Sequence, residues 1–307
     1  MKFFSDERVT LFQGDIFEEL RNIPEDLVQT AVTSPTYWGK RSFLKDPKEF
    51  GSEKLEVYVQ RNVDIYSALL DKMKKNGSLF VIIQDTYMGS GVSRSHHNHW
   101  EHNKDQSYKR DGIDSSKQGN TSSVTARHET IKNKSLSAIP YRIAIKLVDM
   151  GFLWREQIIW EKPNPMPENV NDRVRQSAEL ILHFTKSGKY KFNPEPFQIR
   201  GKNGKMRMDN QVWIYPPEPK PGHTATYPSK IAKRLVLATS DEGDTIMDPF
   251  VGSGTLLNIA VTSKRKFIGV DINPQFLGST LKIYERSLKN TTLLEGEKMQ
   301  MGILDNP

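Results

Sequence analysis

Two short stretches of this 307-residue chain hold residue types that can do chemistry, and they lie over 200 residues apart. The first is Thr33-Ser34-Pro35-Thr36-Tyr37-Trp38. Ser34 Oγ and the carbonyl of Pro35 are two hydrogen-bond acceptors, and the proline ring fixes the direction of its carbonyl. Such a pair suits one task. It can hold the two protons of an exocyclic base amine out of the ring plane, so that a lone pair otherwise delocalised into the ring becomes nucleophilic. Tyr37 offers a flat face on which an extruded base can stack, and Trp38 extends that wall. The same six residues also fit a plain turn followed by aromatic core residues.

The second stretch, Asp248-Pro249-Phe250-Val251-Gly252-Ser253-Gly254-Thr255, sits between a strand pattern (245–247) and a helical one (256–261). Two glycines spaced by one residue let the backbone turn tightly at a strand's carboxyl end and come close to a ligand. Asp271 lies 19 residues past Gly252, at the end of the next strand pattern. An acid there is placed to accept hydrogen bonds from ribose hydroxyls. A dinucleotide site would want a third glycine for the pyrophosphate, and none follows.

Alternating or continuous apolar runs predict strands over 8–12, 28–33, 78–84, 153–160, 179–185, 245–247 and 267–270. Helical spacing covers 17–23, 57–73 (capped by Asn76-Gly77), 139–150, 231–237 and 256–261. Helices alternating with buried strands imply an α/β fold with a mostly parallel, doubly wound sheet. Both chemical stretches then fall at strand carboxyl ends, where such sheets place ligands. Residues 86–135 are rich in Gly, Ser, Asn, Lys and His and carry no periodicity, which marks a polar insertion. A second irregular stretch spans 186–207.

Taken together these residues resemble the beta-type, circularly permuted group of amino-methylating DNA methyltransferases, in which the catalytic motif precedes the cofactor loop. Ser34-Pro35-Thr36-Tyr37 resembles the Ser-Pro-Pro-Tyr signature of the N4-cytosine members, with Thr36 where the family usually has a second proline. Phe50-Gly51-Ser52-Glu53, the stretches 158–167, 179–187 and 225–229, and the Asp-Pro-Phe opening of the cofactor loop look familiar from the same group. The resemblance implies a permuted Rossmann-like methyltransferase fold with inserted recognition segments, and S-adenosylmethionine as cofactor. It implies that Asp248, Pro249, Phe250, Gly252, Gly254 and Thr255 surround the methionine moiety, that Asp271 holds the ribose, and that Asp15 lies near the adenine end. Double-stranded DNA is the implied substrate and a restriction endonuclease the implied functional partner. N4 of cytosine is favoured over N6 of adenine because Ser34 stands where adenine enzymes usually carry Asp or Asn. The expected organisation is a catalytic half (1–85), the polar insertion (86–135), the rest of the catalytic half (136–185), a target-recognition segment (186–221), a cofactor-binding half (222–290) and a tail (291–307).

Composition agrees with this and excludes several alternatives. The net charge of +7 and a pI near 9.3 fit a polyanionic partner. Seven Lys/Arg and a single acid, Glu195, fall within 186–207, interleaved with Tyr190, Phe192 and Phe197. Lys202, Lys205 and Arg207 there, with Lys40 and Arg41 beside the catalytic motif, are the candidate DNA contacts. The absence of cysteine removes thiolate metal sites and C5-cytosine methylation, which needs a cysteine nucleophile. His96, His97, His99 and His102 cluster, but no carboxylate or thiolate spacing accompanies them and no metal is expected. A mean hydropathy of −0.60, with neither an apolar run of membrane length nor a signal core, makes a cytoplasmic protein the simplest expectation. Rival readings are RNA or protein-glutamine methylation, which usually follows the opposite motif order, and a DNA-binding regulator with a relic cofactor fold. Oligomeric state and target sequence are not legible.

Overall fold

The computed structural model describes residues 1–39, 50–89, 128–165, 167–168, 170–218 and 226–288. The first half of the chain supplies β1 (Lys2–Ser5), β2 (Val9–Gln13), α1 (Ile16–Leu20), β3 (Val28–Thr33), α2 (Leu55–Lys72) and β4 (Met73–Ile83). There follow α3 (Ile139–Asp149), β5 (Leu153–Glu161) and β6 (Ala178–Thr185), then three short strands, β7 (Gln198–Arg200), β8 (Met206–Met208) and β9 (Val212–Ile214). The last part is α4 (Ser229–Thr239), β10 (Thr245–Asp248), α5 (Thr255–Thr262), β11 (Lys266–Asp271) and a further helix, α6, over 274–288.

Contacts group these elements into two units. The larger comprises Met1–Pro35, Val59–Gln84 and Ile139–Pro307. Its sheet runs β1-β2-β11-β10-β3-β4-β6-β5-β9, with β2, β11, β10, β3 and β4 mutually parallel. β6 is antiparallel to both β4 and β5, so β5 again points the same way as β4. The parallel strands read as they must when helices cover both faces: every residue of β3 and of β10 is buried. Their polar members are satisfied within the core, as where Thr30 Oγ1 donates to the Thr239 carbonyl at 3.0 Å. The α/β, mostly parallel architecture agrees with the sequence pattern.

Two elements differ from expectation. β4 starts at Met73 rather than at 78, because Leu27 N–H takes the Lys72 carbonyl at 3.0 Å as the helix ends and draws the chain straight into the sheet. The register then jumps from Val28 opposite Met73 to Thr30 opposite Ser78, so Asn76-Gly77 sits in a bulge instead of capping α2. Gly77 is needed there, since a Cβ would lie 2.9 Å from the Gln29 carbonyl. The stretch 186–207 is also not irregular. It holds a 3₁₀ turn (Glu195–Phe197) and the antiparallel hairpin of β7 and β8. A run of edge-to-face rings, Tyr190, Phe192, Phe197 and Trp213, packs beneath them with centroids 5.0–6.0 Å apart. Arg234 of α4 closes that run, with its guanidinium 3.8 Å from the Trp213 ring centre and paired to Asp209 at 2.8 Å.

The smaller unit comprises Thr36–Tyr58 and Asp85–Ala138. Its described part centres on buried Trp38, Phe50, Leu55 and Tyr58, with the Phe50 and Tyr58 rings edge to face at 6.2 Å. Residues 85–88 pair with 134–138 through backbone bonds such as Ser137 N–H to the Thr86 carbonyl, 2.9 Å. The unit therefore joins 36–58 to the described ends of the polar insertion, 86–89 and 128–135, a grouping that composition alone does not signal.

Gly269 of β11 lets the loop after β10 lie against the sheet. A Cβ there would stand 2.4 Å from Val251 Cγ2 and 2.7 Å from the Phe267 ring. Gly269→Ala is expected to cost about 1–3 kcal/mol by overpacking, seen as a melting temperature lower by several degrees. An unchanged melting temperature would mean that Val251 does not seat there.

Candidate functional site

Parallel strands that share a register end at one edge of the sheet, and here four of them deliver the residues singled out above. The pairing sets Met247 against Ala31, Asp248 against Gly269 and Asp271 against Gln13. Asp15 therefore leaves β2, Ser34-Pro35 leaves β3, the 248–255 loop leaves β10 and Asp271 ends β11, all at the carboxyl edge of the larger unit. Because β3 and β10 are immediate neighbours, the serine-proline pair and the glycine loop begin about one strand spacing apart, roughly 5 Å.

The loop itself is held by the two acids. Asp271 Oδ2 accepts from the Gly252 amide and Oδ1 from the Asn273 amide, each at 2.8 Å. Gly252 and Gly254 both take left-handed conformations, φ 49° and 70°. At Gly254 a Cβ would lie 2.8 Å from Thr280 Oγ1, so space as well as backbone demands glycine. Gly254 then caps α5, and Thr255 opens it, buried, with its hydroxyl 3.1 Å from that of Ser253. Asp248 is 2% exposed and turned inward, with Oδ1 accepting from the Phe250 amide at 3.0 Å and Oδ2 from the Tyr227 hydroxyl at 3.4 Å. It braces the loop from below, with Pro249 buried beside it, whereas Phe250, Gly252 and Ser253 are partly exposed.

Burial governs the charge of both acids. It pushes the Asp248 carboxyl up to about 7, against the Phe250 amide and the Thr33 and Tyr227 hydroxyls, with the nearby Asp271 adding to the rise. Thr33 Oγ1 has no partner in regular hydrogen-bond geometry among the described residues, so its effect on Asp248 is one of proximity. Burial likewise lifts Asp271 to about 6, opposed by the Asn273 and Gly252 amides. Asp15 is the N-cap of α1, its Oδ1 accepting from Phe17 N–H at 2.9 Å.

Within the larger unit Ser34 is half-buried and Pro35 buried. The chain passes into the smaller unit at Thr36, whose carbonyl accepts from Tyr58 OH at 2.8 Å. Tyr37 is partly exposed and lies over Gly51, where φ is +101° and a Cβ would stand 3.1 Å from the Tyr37 carbonyl. Gly39 N–H donates to the Gly51 carbonyl at 2.8 Å. The stiffness that a second proline at 36 would supply comes instead from Tyr58 and the 50–53 turn. Trp38 must be corrected. It is 1% exposed, its indole N–H donates to the Glu53 carbonyl at 2.7 Å, and it forms core rather than a wall for a base.

Of the basic candidates, Lys202, Lys205 and Arg207 stand exposed on the β7–β8 hairpin, Arg207 bonding locally to Asn210 Oδ1 at 3.3 Å. Lys186 and Lys191, counted in the same basic stretch, are committed elsewhere: Lys186 to the Met73 carbonyl, Lys191 to Asp241 and Asp244. Lys40, Arg41 and the four clustered histidines lie outside the described residues. Gly51, Tyr58, Glu53, Tyr227, Gly269 and Thr280 are the supporting residues that sequence reading did not assign. Gly51 and Glu53, within the familiar 50–53 stretch, and Tyr227, within 225–229, carried a signal.

The chain matches a family model described as DNA methylase over residues 28–282. It is 32% identical over 272 residues to the type II methyltransferase M.Cfr9I of Citrobacter freundii, covering 87% of this chain and 85% of that protein. It is 31% identical over 266 residues to M.SmaI of Serratia marcescens, covering 86% of each. Among solved structures it is similar to the cytosine-N4-specific PvuII DNA methyltransferase, at TM-score 0.64 and 19% identity over 93% of this chain and 94% of that one. A second, at TM-score 0.60 and 22% identity over 90% of this chain and 93% of the other, is a Thermus thermophilus protein described as a putative DNA modification methylase and solved with S-adenosyl-L-methionine.

The raised carboxyl of Asp248 makes stability depend on pH. Its protonated form is favoured by folding, so its contribution to stability is complete below about pH 4 and is lost as pH rises through 7. Asp248→Asn, which keeps an acceptor for the Phe250 amide, is expected to melt above the parent at pH 8 without added cofactor. The two should converge toward pH 4. A variant that melts lower at pH 8 would mean that the charge is compensated in the fold.

Proposed function

The chain belongs to the N6/N4 DNA methylase family of restriction–modification methyltransferases, and from that premise we propose that it methylates N4 of a cytosine turned out of double-stranded DNA. One observation carries the reading: β3 and β10 are hydrogen-bonded neighbours, so Ser34-Pro35 and the glycine loop open at the same point of the sheet edge. The methyl donor in this reading is S-adenosylmethionine, which supplies an electrophilic methyl carbon when bound. The site suits it. A left-handed glycine turn backed closely by Thr280 admits a ligand where a side chain would clash, and each Asp271 oxygen, after accepting one amide, keeps a lone pair for a ribose hydroxyl. Phe250, Gly252 and Gly254, with Thr255 and Asp248 behind them, form the methionine end, and Asp15 lies toward the adenine end.

The chain's own work on the base is positioning. Ser34 Oγ and the Pro35 carbonyl accept the amine's protons and localise its lone pair, while Tyr37 stacks on the ring. These interactions exist only with the base in place, so they lower the barrier to transfer without strengthening cofactor binding. Serine at 34 supports cytosine over adenine through the family pattern, and the cytosine-N4-specific protein named above has the same fold. Physical chemistry alone permits N6 of adenine, since Ser, Asp and Asn all accept a hydrogen bond. The exposed hairpin cations are the proposed phosphate and base contacts, and a companion endonuclease is the proposed physiological partner.

Two variants separate the roles. Ser34→Ala is expected to keep its affinity for S-adenosylmethionine by calorimetry while transfer of labelled methyl to duplex DNA falls at least about tenfold. Asp271→Ala is expected to lose cofactor affinity by about 10- to 100-fold, the size of a missing hydrogen bond to a charged acceptor. Equal turnover in Ser34→Ala and the parent would remove the serine from the reaction. For the hairpin, replacing Lys202, Lys205 and Arg207 by glutamine should flatten log affinity against log salt by about 0.9 for each phosphate no longer neutralised. An unchanged slope would turn this hairpin to solvent.

A further inference from the structure

The segment that joins β5 to β6 rises from the same sheet edge as Ser34, and from further out. Thr33, the last residue of β3, is level with Val81 of β4 and through it with Leu182 of β6. β6 begins four residues earlier, at Ala178, opposite Glu161 at the end of β5. The two strands therefore run roughly 13 Å past the end of β3, with β6 about 10 Å to its side.

The connecting loop is braced at its base and at its tip. Lys162 N–H donates to the Ser177 carbonyl at 2.7 Å, and the Lys162 ammonium pairs with buried Glu179. Further out, the Glu168 carboxylate accepts from Arg173 Nη1 at 2.8 Å and from the Gln176 amide at 3.4 Å. Arg173 Nη1 also donates to the Val174 carbonyl at 2.9 Å. What this bracing presents is Val174. It is 86% exposed, more than any other large apolar side chain among the described residues, and β-branching leaves it few conformations. The fold gains nothing from an apolar group so placed. Arg173 is engaged inside the loop, whereas Arg175, on the other side of the valine, is exposed and has no ion pair among the described residues.

A stiff apolar tip beside an available cation has the chemistry of a wedge. Its hydrocarbon enters between stacked bases while the guanidinium holds a phosphate. Extruding a base calls for such help, because unstacking and unpairing cost the duplex free energy. Resting on the methylation of an extruded base argued above, we propose that Val174 enters the base stack as the target base leaves it, with Arg175 anchoring the adjacent backbone.

The modified site is read from plasmid DNA treated with the parent, and a short synthetic duplex is built around it. On that duplex Val174→Ser is expected to lower transfer of labelled methyl at least about tenfold, and Val174→Leu, which keeps an apolar wedge, to stay within about threefold of the parent. Both should bind S-adenosylmethionine as the parent does by calorimetry. A mispaired target base is already loosened, so the same duplex with a mismatch at that base should bring Val174→Ser to within about threefold of the parent. Ser34→Ala, impaired in the transfer itself, should stay impaired on both duplexes. Arg175→Gln should flatten the slope of log DNA affinity against log salt by about 0.9. Full activity of Val174→Ser on the paired duplex would overturn the proposal, as would an equal defect on the mispaired one or an Arg175→Gln slope equal to the parent's. A parent that methylates no duplex would overturn the proposed function itself, and this inference with it.

Discussion

The site depends on one carboxylate. Asp271 ends β11, and its Oδ2 reaches across to the amide of Gly252 in the loop that follows the neighbouring strand. With Oδ1 on the Asn273 amide, the same group also fixes the start of α6, the helix that places Thr280 behind Gly254. The turn, the helix that backs it and the strand that carries the acid are thereby one assembly. The cost is a buried acid whose carboxyl is lifted to about 6, next to Asp248 at about 7. A pair of acids with carboxyls raised by burial costs the fold stability as pH rises through 6 to 7, and is well suited to a cationic or hydroxyl-bearing ligand.

The motif proposed to hold the amine is built on a different plan. Ser34 and Pro35 take their position from β3, a strand fixed on both sides by parallel neighbours. Beyond them the chain relies on partners in the smaller unit: the Tyr58 hydroxyl on the Thr36 carbonyl, the Thr86 hydroxyl on the Trp38 carbonyl at 3.1 Å, the Glu53 carbonyl on the Trp38 indole, and the Glu53 carboxylate on the Gly51 amide. Each bond is local to that unit, so the motif is held at both ends without any single rigid residue at 36. A threonine is tolerated there because its neighbours do the fixing.

Much of this is readable from residue types alone, where the physics is local. Continuous apolar runs such as 28–33 mark strands buried on both faces, and the glycine pair with its acid 19 residues on marks a turn that must approach a ligand. The misses share a cause. Three-residue strands such as β8 and β9 are too short to show a period: β8 is exposed throughout, and β9 buries Trp213 alone, in an aromatic run assembled from 190 to 213 and closed by Arg234 of α4. Trp38 stands beside a catalytic motif, where its type fits a base-stacking wall as well as a core. Only the partner at Glu53, 15 residues away, decides between them. The early start of β4 follows from a bulge that no propensity foretells.

Everything proposed for the site turns on the identity of the atom that receives the methyl group. Duplex DNA treated with the protein and isotopically labelled S-adenosylmethionine, then digested to nucleosides and analysed by mass, reads it directly. Labelled N4-methylcytosine is the expected product. Labelled N6-methyladenine would contradict the base assigned to Ser34, and label in neither nucleoside would contradict the joining of the two strand ends into one active site.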